Sequence, residues 1–222
     1  PALFVLRREY REKIKEYVRG GGTLLATFLT SVKDEYNTGW IESLPAGLTD
    51  LFGVTVQEVE PADERTSSIL KMELPGGTVY TKDRHWSELL AGEAEIVGRY
   101  TEDYKAGQGV IARNPYGKGT AWYMGTMPEE DAFAKLLSHI CEEAGLTKPE
   151  ITVPAQYCEA VCREYEGGKL YYLFNFDKEP HQVDWKGTLV DYLTGEKHQD
   201  GALIPADGFL ILLKEAGRNE QG

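Results

Sequence analysis

The chain has 222 residues, 41% hydrophobic and 27% charged, with a formal net charge of -12. This is the profile of a globular protein with room for one or two packed cores, and so acidic a balance argues against a nucleic-acid partner, which would need clustered Lys and Arg. No apolar run approaches the ~20 residues of a membrane span, and no signal-peptide pattern opens the chain. A chain with no membrane association and a cytoplasmic location is therefore expected.

The chain starts at Pro1 without a Met and enters the apolar run ALFVL, which reads as a strand (Leu3 to Leu6) in a piece cut from a longer protein. Residues 9–18, EYREKIKEYV, place Tyr10, Ile14, Tyr17 and Val18 at helical spacing, with charges on the other face. Gly20, Gly21 and Gly22 stop that helix. TLLATFL follows as a continuous apolar strand, the pattern of a strand covered on both faces. Strand, helix and strand predict a right-handed crossover in a parallel sheet. The polar loop SVKDEYN then lies at a strand's carboxyl end, where open α/β sheets bind ligands.

PAGLTDLFG reads as a short helix with Leu48, Leu51 and Phe52 inward, feeding the strand VTVQEVE. SSILKMEL, AEIVGRY, GVIARN and TAWYMGT are strands separated by Gly, Pro and Asp turns. MPEEDAFAKLLSHICEEAG is the clearest helix. Thr126 suits its cap, Pro128 its first turn, and Phe133, Leu136, Leu137, Ile140 and Cys141 its buried stripe. From Ile151 onward only short strands and turns remain: CEAVCREY, LYYLFNF, HQVDW, TLVDYL and GFLILLK, with EGGK as a hairpin turn. The expected organisation is an α/β domain over 1–147, lacking its first strands, an antiparallel β domain over 148–216, and a tail over 217–222.

Cys141, Cys158 and Cys162 make an odd set without framework spacing. Cys158 and Cys162, four apart on a strand, would sit about 13 Å apart at ~3.3 Å per residue, too far to bridge. His181 and His198 show no zinc-type spacing with them. Buried apolar thiols in a reducing compartment are expected, with no metal and no cofactor.

Several stretches invite a chemical reading. Ser31 in FLTSVKD lacks the glycines of a nucleophile elbow, and the adjacent carboxylates Asp34 and Glu35 do not face each other across a substrate. A solvated or interface loop is the commoner use of such a segment. RNPYGKGTAW resembles a phosphate loop but runs from strand to strand, so a hairpin explains it. His85, beside Trp86, lacks an evident carboxylate partner. His139 favours the C-terminal end of its helix dipole.

The order GGGTLLATFLTSVKDEYN, PAGLTDLFGVTVQEVE, ARNPYGKGTAWYMGT resembles the middle domain of glycoside hydrolase family 42, the β-galactosidases. That family's GG-T-L-V strand, DE-N loop, PG-x-L-x-x-L-G helix and R-N-x-x-G-x-G-x-A-x-Y hairpin all occur here in order. LYYLFNFDKEPHQVDW through VDYLTGE and GFLILLK resembles the small C-terminal β domain of the same enzymes. The resemblance implies a fold: a flavodoxin-like, class I glutamine amidotransferase-like layer followed by a small antiparallel β domain. It also implies a homotrimer. The family cleaves terminal β-galactosides with retention, using two glutamates on a barrel of about 250 residues, longer than this whole chain. None of the barrel's repeats is visible, so no Glu here inherits a catalytic role and the chain by itself is not expected to be an enzyme.

TLLATFL occupies the position where an amidotransferase carries its nucleophilic Cys, and Thr27 to Ser31 stand there instead. The expected role is a non-catalytic assembly portion, with Ser31, Asp34, Glu35, Asn37 and Trp40 as candidate interface residues. Two alternatives stand beside it: a stand-alone hydrolase using Ser31, and a carbohydrate-binding module stacking sugar on Tyr171, Tyr172, Trp185 and Tyr192.

Overall fold

The computed structural model describes residues 3–63, 65–146, 149–154 and 156–215. Two compact units divide the chain, Pro1–Leu146 and Thr147–Gly222. The expected domain start at Lys148 and the tail 217–222 lie outside the described residues.

In the first unit, α1 (Arg8–Arg19) buries Val18 and Arg11 and ends on the glycine run, where Gly21 takes a φ of 119°. β1 (Thr23–Thr27) follows, then the single turn α2 (Thr49–Phe52), then β2 (Val54–Ala62) and β3 (Ile69–Leu74). The long β4 (Gly77–Gly92), β5 (Glu95–Tyr100), the hairpin of β6 (Gly109–Tyr116) and β7 (Gly119–Met124), the two-residue β8 (Met127–Pro128) and α3 (Glu130–Glu143) complete it. The sheet runs β1-β7-β6-β5-β3-β4-β2. β1 pairs with β7 in parallel, Thr23 opposite Thr120, while the other pairings in this sheet are antiparallel.

β7 shows why the layer needs cover on both sides. Its alternating residues Ala121 and Tyr123 join Val18, Leu51 and Phe52 beneath α1 and α2. Trp122 and Met124 join Leu136 and Ile140 of α3. Period-two alternation between two apolar clusters produces a helix–sheet–helix sandwich.

Several expectations give way here. Leu3 to Leu6 is no sheet strand. Val5 forms one parallel bridge to Lys33, and the backbone groups of Leu3, Phe4 and Leu6 bond the Ser31–Lys33 segment, so no crossover to β1 forms. β1 stops at Thr27, before Phe28 and Leu29. β4 carries no strand pattern in the sequence, because polar residues occupy several of its inward positions. Its first half pairs with β3 and its second with β2, bending at His85, whose φ is 70°. Glu129, not Thr126, is the N-cap of α3. The Thr126 hydroxyl instead bonds the Arg84 backbone, and Pro128 pairs with β4. The helix buries Ala132, Leu136 and Ile140 at i, i+4 spacing, which turns Leu137 toward solvent.

The second unit is one antiparallel sheet. Its strands are β9 (Cys158–Tyr165), β10 (Gly168–Asn175), β11 (His181–Asp191), β12 (Lys197–Ile204) and β13 (Phe209–Glu215), in the order β12-β11-β13-β10-β9. The EGGK hairpin joins β9 to β10, Tyr165 opposite Gly168. HQVDW and TLVDYL are one strand, β11, rather than two. Tyr171, Leu173, Val183, Trp185, Leu189, Ile204 and Leu212 form the core, and Cys158 is buried with them. Cys162 is exposed, contrary to expectation, because β9 is an edge strand with few inward residues; Cys141 is half-buried. Among the described residues no helix is long and apolar enough to cross a membrane.

Candidate functional site

The chain leaves β1 through a tightly held corner. Leu29 and Ser31, neither of them glycine, take left-handed φ values of 57° and 54°, a conformation that costs about 1–2 kcal/mol per L-residue. Surrounding bonds hold it. The Leu29 amide donates to Glu88 Oε1 at 2.9 Å, and the Thr30 hydroxyl donates to the Thr27 carbonyl at 2.7 Å. The Tyr123 hydroxyl donates to the other oxygen of Glu88 at 2.8 Å. Burial raises the Glu88 pKa above the usual carboxylate range, against the pull of those two donors. Burial and the neighbouring carboxylate also raise Tyr123, so its phenol stays protonated as a donor.

Ser31 is 0% exposed, and its hydroxyl donates to the Ala46 carbonyl at 2.8 Å. It anchors the corner from beneath, and a hydroxyl sealed in this way has no access to a substrate. The Ser31 hydrolase reading fails on that burial.

Beyond the corner, Lys33 bridges antiparallel to Gly39 and closes a short loop. Asp34 organises it. Its Oδ1 accepts from the Tyr36 amide at 3.0 Å and the Thr38 amide at 2.8 Å, an Asx-type turn, and Asn37 sits at a φ of 63°. Glu35, Asn37 and Tyr36 (82% exposed) face solvent, and Ile41 is fully exposed. Asp34 is thus committed to its own loop, while Glu35 and Asn37 share the outer surface with two apolar side chains.

Trp40 turns back toward α1. The buried Arg11 guanidinium lies 3.8 Å from its ring centroid and that of Arg8 lies 4.9 Å away. Arg11 Nη1 donates to Glu42 at 3.1 Å. Burial lowers the Arg11 pKa, and Glu42 pulls the other way. Among the described residues, Arg11 Nε and Nη2 and the Trp40 indole nitrogen, all buried, have no hydrogen-bond partner. The structure therefore brings Asp34, Glu35 and Asn37 onto one loop, with Trp40 as its stacked root and Ser31 under its start. Glu88, Arg11 and Glu42, which hold this arrangement, carry no local sequence signal, because their partners lie 31 to 59 residues away in the chain. The loop displays surface and aligns no nucleophile with a base. Among the described residues no group of three or more His, Cys, Asp or Glu side chains is placed to hold a metal ion.

A family model described as the beta-galactosidase trimerisation domain matches residues 1–147, and one described as the beta-galactosidase C-terminal domain matches residues 158–213. The chain is 27% identical over 222 residues to β-galactosidase BgaA of Planococcus sp., covering 96% of this chain and 32% of that protein. It is 29% identical over 206 residues to β-galactosidase LacA of Lactobacillus acidophilus, covering 90% of this chain and 30% of that protein. The crystal structure of a β-galactosidase from Bacillus circulans sp. alkalophilus superposes with a TM-score of 0.84 at 25% identity, covering 96% of this chain and 32% of that one. The chain spans about a third of the length of the curated relatives it matches.

Proposed function

The chain belongs to the β-galactosidase trimerisation-domain family, and on that premise we propose that it is the non-catalytic assembly portion of a β-galactosidase. In this reading a barrel elsewhere in the parent polypeptide hydrolyses terminal β-galactosides with retention. The observation that carries the reading is extent: the match takes in 96% of this chain but 32% of a full-length relative. Three copies in a closed ring each offer one patch to a different patch on the next.

The loop Asp34 to Ile41 is our candidate for one such patch. Its support is the exposure of Tyr36 and Ile41 beside Glu35 and Asn37, with the loop's shape fixed by Asp34 and its root by Trp40. Apolar side chains at a polar-rimmed, prestructured tip suit a protein contact. The test is the double variant Asp34→Ala, Glu35→Ala in the parent enzyme. Sedimentation is expected to show loss of the trimer, with a raised KM if the loop also walls a neighbour's galactoside pocket. An unchanged mass together with an unchanged KM rejects this role for the loop.

A further inference from the structure

The second unit contains a cavity of about 490 Å³, within the usual range of small-molecule sites. Its apolar lining comes from Ile151, Tyr171, Trp185 and Leu189, all buried. Glu150, Asp184, Lys186 and Lys214 surround it, all exposed.

Two independent features show this to be a built site. The first is a bulge. The β11–β12 register passes from Asp184 opposite Gly201 to Thr188 opposite Gln199, so Trp185, Lys186 and Gly187 together face Asp200 alone. Gly187 and Asp200 take left-handed φ values of 90° and 59°, and the Gly187 amide donates to Asp200 Oδ1 at 2.7 Å. Bulges of this kind re-aim side chains and concentrate beside functional sites. The second is fixation. The Trp185 indole donates to the Gly187 carbonyl at 3.1 Å, Thr152 bridges to Asp184, and Glu150 is held by Lys169 at 2.8 Å and by Lys214.

The chemistry of the rim selects the ligand. Two carboxylates and two ammonium groups cancel in charge, which favours a neutral molecule over an anion or a cation. Hydroxyls donate to the carboxylates and accept from the ammonium groups, while indole, phenol and aliphatic side chains suit a flat apolar face. A neutral polyol with an apolar face is a pyranose ring. We propose that this cavity is a saccharide-binding site, with Trp185 and Tyr171 lining its floor and Asp184 and Lys186 supplying the hydroxyl contacts. The assignment is independent of the assembly reading.

The test uses the 222-residue chain itself. Amide and indole NMR signals are followed while galactose, lactose and a β-linked galactobiose are added in turn, with acetate and phosphate as charged controls. The Trp185 indole is assigned through Trp185→Phe. The site predicts saturable shifts at that indole with a millimolar dissociation constant, the range open to so small a polar ligand. Asp184→Ala and Lys186→Ala, both at exposed positions, are each expected to weaken binding about tenfold with the rest of the spectrum intact. The assignment is overturned if no sugar gives a saturable shift, if both variants bind as the parent chain does, or if acetate or phosphate fills the site in preference to the sugars.

Discussion

Glu88 offers the sharpest test of how the corner after β1 is held. Its two carboxylate oxygens accept from the Leu29 amide at 2.9 Å and the Tyr123 hydroxyl at 2.8 Å, and the side chain is buried. Glu88→Ala strands both donors. At about 1–3 kcal/mol for each buried unsatisfied group, the loss is about 2–6 kcal/mol. At about 2–4 °C per kcal/mol for a chain of this size, the melting point falls by about 4–24 °C. Glu88→Gln keeps an oxygen for the Leu29 amide and leaves the Tyr123 hydroxyl proton without an acceptor, a loss offset by removing a charge that burial disfavours. It is expected to stay within about 1 kcal/mol of the wild type at pH 7. The two chains also differ in their response to pH. The folded Glu88 pKa is raised, whereas the unfolded chain titrates near the ordinary value of about 4.3. The native state therefore binds more protons between those values. As pH rises from about 4 through the raised folded pKa, the wild type loses stability relative to Glu88→Gln, and the gap is constant above that point. Urea unfolding followed by circular dichroism at several pH values reads both effects. A Gln variant as unstable as the Ala variant, or a gap that ignores pH, refutes this account of the corner.

Three further outcomes follow from the same structure. Gly47 has a φ of 68° and lies against Arg11, so that a Cβ would press into the guanidinium; Gly47→Ala is expected to cost about 1–2 kcal/mol in urea unfolding. Lys105, 3% exposed, donates to Ser87 at 3.1 Å and pairs with Glu60 at 3.2 Å and Asp83 at 3.8 Å; Lys105→Ala leaves buried Asp83 uncompensated and is expected to cost about 3–5 kcal/mol by the same measurement. Lys169 and then Lys214 hold Glu150 down to about 2, so its contribution is present above the ordinary carboxylate value and is lost as pH falls toward 2. Because these groups are exposed, Glu150→Gln should remove less than about 1 kcal/mol from the second unit at pH 7 and flatten its acid limb in an amide NMR titration.

What was legible in the sequence was periodicity and punctuation. α1 and α3 announce themselves by apolar spacing, and the hairpins at Glu166–Gly167 and Gly117–Lys118 by turn residues. β4 was invisible for a physical reason. Its inward residues include Asp83, Ser87 and Glu88, whose partners are the Ser68 amide, the Tyr100 hydroxyl and the Leu29–Tyr123 pair, all distant in the chain. A buried polar group satisfied from afar breaks the alternation on which strand reading depends. β11 reads as two strands in the sequence because Lys186 and Gly187 mark its bulge with turn-like residues. The loop after Ser31 was legible as a polar segment, but its anchoring was not: Arg11 reads as one charge among many on a solvated helix face until Trp40 stacks over it.

The central claim is that these residues assemble and do not cut. Its most direct test is turnover of nitrophenyl β-galactoside by the purified 222-residue chain, measured beside the intact parent enzyme at equal molarity. The account predicts hydrolysis by the parent and a rate equal to buffer for the chain. Saturable hydrolysis by the chain alone would contradict it.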